Sequence, residues 1–169
     1  MNSLVLGLIF LSTNWSIENC NLGVDQKQEQ KEVCMKSRYK FYREHKYVSF
    51  AVNHLEKRIA TTDFRNQKEA KKVHREFKEL VAMMKGHAHY ENSALHTLLK
   101  KRGSKVFEQA EHDHEEYDAL LLDLEKRLQK VMKTKDEEER VELGYQLYLW
   151  FRRFAGFNLL HLHEEETII

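Results

Sequence analysis

Two histidine–glutamate pairs carry the strongest chemical signal in the chain, His87-x-x-x-Glu91 and His161-x-x-x-Glu165. Residues four apart in a helix lie about 40° from one another on one face, so each pair can offer an imidazole nitrogen and a carboxylate oxygen to the same ion. One such pair by itself reads as a surface salt bridge or a satisfied core histidine. Two pairs on two apolar stripes read differently, because a buried ionised glutamate is costly unless a positive charge meets it. A divalent cation would meet both glutamates together. His45, also centred on an apolar face, adds a further nitrogen.

The other histidines need sorting, since ten are present and seven of them fall from His87 onward. His54 lies about 180° around the helix from His45 and is expected to face solvent. By the same arithmetic His74, His89, His96 and His163 sit off the inner stripes and are read as surface or supporting residues. The segment Glu111-His112-Asp113-His114-Glu115-Glu116-Tyr117 offers two histidines about 160° apart, of which only one can be central. His114 is closer to the stripe of Ala110, Tyr117 and Leu121, and His112 is the alternative.

Four helical patterns have to position these groups. The first runs from about Cys34 to Ala60, with Phe41, His45, Val48, Val52, Leu55 and Ile59 at three- and four-residue steps. Asn66 is expected to cap the second, with Glu69 as its capping-box partner, and Val73, Phe77, Leu80, Met84, His87, Glu91 and Leu98 share its inner face. Gly103 stops it and Ser104 is the next candidate cap. The third carries Val106, Ala110, Tyr117, Leu121, Leu124 and Leu128. Thr134 with Glu137 is the capping box expected to open the fourth, which presents Leu143, Leu147, Phe151, Phe154, Asn158, His161 and Glu165. Short links between such helices give an all-α, antiparallel up-down-up-down four-helix bundle.

Composition agrees. Proline is absent and glycine limited to six in 169 residues, so almost nothing interrupts long helices. With 28 Lys+Arg against 27 Asp+Glu, no single-sign field exists to attract nucleic acid or an anionic membrane, and neither is expected as a partner. Cys20 and Cys34 match no disulfide framework or zinc spacing, which fits a reduced, cytoplasmic setting. The apolar run at residues 4–11 is too short to span a bilayer. A signal peptide over residues 1–16 is the weaker reading of it, for want of a preceding Lys or Arg and of a small-x-small cleavage pattern. A polar Gln/Lys/Glu-rich stretch from Asp25 to Glu32 follows. The expected division is an N-terminal extension, residues 1–33, and a bundle, residues 34–169.

Taken together, His45 in Tyr-Arg-Glu-His-Lys, His87-x-x-x-Glu91 in His-Ala-His-Tyr-Glu-Asn, the His-rich third segment and His161-x-x-x-Glu165 in His-Leu-His-Glu-Glu-Glu resemble the hemerythrin-like, HHE cation-binding family. The resemblance covers about residue 39 to the C-terminus. It implies a non-haem di-iron centre bridged by two carboxylates and an oxo or hydroxo group, with a position open to dioxygen. On that basis His45, His87, Glu91, His114, His161 and Glu165 are the expected metal ligands. Two departures stand out. Family members that bind oxygen reversibly carry His-x-x-x-His on the third helix, whereas Ala110 stands four before His114 and Glu108 four before His112, leaving one nitrogen ligand fewer. The sequence also ends four residues after Glu165, where relatives continue the fourth helix.

Imidazole and carboxylate suit Fe(II), Mn(II) or Zn(II), and two bridging carboxylates favour a pair of redox-capable ions, so two irons are expected over a single Fe, Mn or Zn. The leading functional expectation is binding or sensing of dioxygen or a related small oxidant such as peroxide or nitric oxide. An oxidase or detoxifying enzyme on the same centre, iron storage, and a metal-free helical interaction module are the alternatives. No substrate pocket or redox relay can be named from the residues, which favours binding over turnover.

Overall fold

The structure, a computed structural model, describes residues 24–101, 103, 105 and 107–168. The apolar run at 4–11, Cys20, and the candidate cap and stripe residues Ser104 and Val106 lie outside them. The chain divides into two compact units, Met1–Arg38 and Tyr39–Ile169. In the first, the described residues are helical; the core and the candidate site below lie in the second.

Four long helices follow in order. They are α1 (Val24–Ala60), α2 (Gln67–Tyr90, continued by a π-helical segment Glu91–His96 and a last piece Thr97–Lys101), α3 (Phe107–Lys133) and α4 (Glu137–Ile168). The backbone of α1 starts ten residues before the apolar stripe at Cys34. The Gln, Lys and Glu residues there are good helix formers and extend the helix with no apolar face to mark it. Pairing across the bundle shows the up-down order. Arg58 near the end of α1 meets Glu69 near the start of α2 at 2.8 Å. Gln67, opening α2, donates to the carbonyl of Met132 at the end of α3 at 3.5 Å. Tyr42 on α1 donates to the carbonyl of Glu166 near the end of α4 at 3.4 Å. Among the described residues, no helix is long and apolar enough to cross a membrane.

The inner stripes close into one core, with Val52, Val73, Phe77, Leu124, Leu128, Leu147, Phe151 and Phe154 among its buried members. At the end of the bundle away from the histidines, the ring of Phe64 lies on Gly144, where any Cβ would run into it. The same end is tied by Arg140, only 4% exposed, whose guanidinium donates to the carbonyls of Phe64, Arg65, Thr134 and Lys135. A buried cation is tolerated there because carbonyl oxygens meet its donors.

The caps differ from expectation in detail. Asn66 does cap α2, accepting from the amide of Lys68 at 3.0 Å, but the Glu69 carboxylate binds Arg58 and Lys72 rather than closing a capping box. Thr134 is not the cap of α4. Its hydroxyl donates back to the carbonyl of Lys130 at 3.0 Å, finishing α3, and Asp136 takes the capping role by accepting from the amide of Glu139 at 2.8 Å. Asp136→Ala should therefore lower stability by about 1 kcal/mol in urea unfolding, and Thr134→Ala by less. Equal costs would return Thr134 to the cap. Gly103 ends α2 as expected, with the positive φ of 74° that favours glycine.

Candidate metal centre

All six candidate ligands converge between the helices at one end of the bundle. His45 comes from α1, His87 and Glu91 from α2, His114 from α3, and His161 and Glu165 from α4. Their donor atoms form two groups of four, His45/His87/Glu91/Glu165 and Glu91/His114/His161/Glu165, each with all four atoms within 4.8 Å of one another. The groups share the two glutamates. Glu91 is fully buried, and its two oxygens face different ways. Oε1 lies 3.2 Å from Nε2 of both His45 and His87, while Oε2 lies 3.3 Å from Nε2 of His114. Glu165 Oε2 lies 3.4 Å from His161 Nε2 and 3.5 Å from His45 Nε2.

The far nitrogens of two of these rings have hydrogen-bond partners that fix which nitrogen looks inward, and that of a third lies against a carboxylate. His114 Nδ1 meets Asn92 Oδ1 at 2.9 Å, His161 Nδ1 meets Asp113 Oδ2 at 3.1 Å, and His45 Nδ1 meets Glu166 Oε1 at 3.3 Å. Gln109 in turn donates to Asp113 at 2.7 Å. A carboxylate or amide on Nδ1 holds the ring so that the Nε2 lone pair faces the ion. Nothing in the sequence pattern singled out Asn92, Asp113 or Glu166. Each is one of many polar residues on a charged helix, and only the packing shows which neighbour it serves.

His96 overturns its expected place. It is completely buried, stacked on His114 with ring centroids 5.8 Å apart, and not turned away from the Glu91 face. An α-helix would set residues five apart about 140° from each other. The π-helical segment Glu91–His96 shifts hydrogen bonding to i→i+5 and brings His96 round to the side of Glu91. His54, His89, His112 and His163 are exposed, and His74 is half-buried. If His114 is the group that matters on α3, His114→Ala should lower metal content or change the optical spectrum, while His112→Ala should leave both as they were. The opposite pattern would reverse the assignment.

Whether these residues fit a cation is tested by the atoms left without hydrogen bonds. His87 Nε2, Glu91 Oε2, His114 Nε2, His161 Nε2 and both oxygens of Glu165 are buried and have no hydrogen-bond partner. Buried polar atoms are rarely orphaned, and these six surround one place, all lone-pair bearers. A cation is the partner such a set lacks. The charge states agree. Burial pushes His161 down to about 4 and also lowers His87, so both rings are neutral and able to coordinate at ordinary pH. For Glu91 burial opposes ionisation, but His114 and His45 at its oxygens outweigh it and hold the carboxyl below its usual range. Burial, with Glu91 and Asp113 beside it, pushes Glu165 well above that range. Two carboxylates so placed cannot both ionise without a cation between them.

A bundle whose helices converge imidazoles and shared carboxylates on one buried place is a cation-binding helical protein. The sequence model of the Hemerythrin HHE cation binding domain matches residues 38–169, and the chain belongs to that family. No curated protein and no solved structure matches it.

Proposed function

We propose that this chain is a cytoplasmic non-haem iron protein that holds two iron ions and binds or senses dioxygen or a related small oxidant. The observation that carries the reading is Glu91, whose two oxygens face separate sets of histidines, as a carboxylate bridging two ions must. Imidazole and carboxylate donors suit iron, which supplies one-electron redox change and Lewis acidity toward a small oxidant. In this reading His45 and His87 serve one ion, His114 and His161 the other, and Glu91 and Glu165 serve both. Burial keeps His87 and His161 neutral, and Asn92, Asp113 and Glu166 lie against the far nitrogens of three of the rings.

The test is purification without air, metal analysis, and an optical spectrum before and after air is admitted. About two irons per chain and new absorption on exposure to air are expected. Iron-free protein after loading, or a spectrum indifferent to air, would sink the proposal.

A further inference from the structure

Beside the centre lies a small cavity of about 20 Å³, walled in part by His87, His114, His161, Tyr117 and Asn158. That is room for one end of a small ligand, a group about the size of a water. Tyr117 packs edge-on against His161, with ring centroids 5.1 Å apart, and its hydroxyl donates to Asn158 Oδ1 at 2.7 Å. Asn158 is completely buried, and its Nδ2 has no hydrogen-bond partner. An amide donor left orphaned in a core is costly, and an apolar residue of similar shape would have avoided the cost. The remaining wall is apolar at Met84, Ala88, Leu121 and Leu162 and carries charge only at the solvent-exposed Lys85 and Asp118.

We infer that Tyr117 and Asn158 form a ligand-selecting pair: the phenol fixes the amide by its oxygen, and the amide Nδ2–H donates to a small hydrogen-bond-accepting ligand, anionic or strongly polarised, held in the cavity beside the centre. The inference rests on the proposed ligand-binding centre and adds to it the kind of ligand preferred. A purely apolar diatomic gains nothing from the donor, whereas an anion gains a charge-assisted hydrogen bond. Tyr117 acts through Asn158 and is a positioning residue.

The probe is azide, a small anion, titrated into iron-loaded protein and followed by its optical spectrum. Asn158→Leu should weaken azide binding about tenfold to hundredfold, and Tyr117→Phe about threefold to tenfold, with iron content unchanged in both. A second measurement needs no metal. In the metal-free protein the double variant Tyr117→Phe/Asn158→Leu removes the orphaned donor together with its anchor, and should melt no lower than the native chain. Unchanged azide affinity in fully loaded Asn158→Leu would overturn the inference. So would a double variant that melts several degrees lower, since the pair would then be core structure. If the native iron-loaded protein binds no azide, the ligand-binding reading of the centre falls, and the melting comparison still decides whether the amide is held at a cost.

Discussion

Glu91→Ala is expected to empty both metal positions at once, cutting bound metal about tenfold or more, while His87→Ala and His161→Ala each leave about half of it. The asymmetry follows from geometry. His87 belongs only to the group with His45, and His161 only to the group with His114, whereas Glu91 belongs to both. In the proposed two-ion reading, losing a histidine would remove one nitrogen from one ion, and losing Glu91 would remove an oxygen from each and half of the anionic charge that the two glutamates supply to the groups. Metal analysis on protein checked for retained helicity makes the comparison, and Glu91→Gln, which keeps the shape, controls for packing. Equal losses from Glu91→Ala and His87→Ala would mean that Glu91 does not bridge. Loss of all metal from either histidine variant would instead point to a single ion.

The six residues that converge were legible in the sequence because they obey the α-helical period. His87 and Glu91, or His161 and Glu165, sit four apart on stripes whose other members are buried for ordinary hydrophobic reasons, so the stripe itself aims them inward. His114 was separable from His112 in the same way, through Tyr117 and Leu121. His96 was not legible, since placing it needs the local change of period at Glu91–His96, and nothing in Glu-Asn-Ser-Ala-Leu-His marks a π turn. The cap of α4 was misplaced for a related reason. Thr134 and Asp136 are both good caps two residues apart, and the choice rests on where α3 finishes its last turn. The partners of the histidine Nδ1 atoms lie on neighbouring helices, so they depend on the rotation of one helix against another, which no single-helix pattern encodes. For Tyr117 and Asn158, sequence placed both on inner faces but could not show that one amide nitrogen goes unpaired.

The metal-free protein should lose stability as pH climbs above about 6.5, and metal should abolish that alkaline loss. Burial chiefly lowers His87 and His96 below the ordinary 6.5. His161 is lowered too, chiefly by burial, to about 4. Below about pH 6.5 these histidines therefore bind more protons in the unfolded chain than in the native one, a contribution that favours the native state increasingly as pH rises. Glu165 runs the other way. Its carboxyl is raised above the ordinary 4.5, so the native chain keeps a proton that the unfolded chain has released. Its contribution is full below about 4.5 and is lost as pH climbs toward the raised value. Between these limits the histidines and Glu165 act in opposite directions, and well above about 6.5 the histidines are neutral in both states and only Glu165 of this group still titrates. Glu91, held low, acts only below this window. One proton is worth about 1.4 kcal/mol per pH unit, so going from about pH 6.5 to about 8.5 should cost the metal-free protein ~2 kcal/mol. Once Glu165 coordinates as a carboxylate it has no proton to lose, and the alkaline limb should become flat. The acid limb should steepen, because protons then compete with the ion for the histidines. Urea unfolding of both forms at about pH 5.5, 6.5 and 8.5 reads these slopes. Metal-free protein as stable at about pH 8.5 as at 6.5 would show that Glu91 and Glu165 are not forced to share a proton, and that the two carboxylates lie farther apart than a common pair of ions requires.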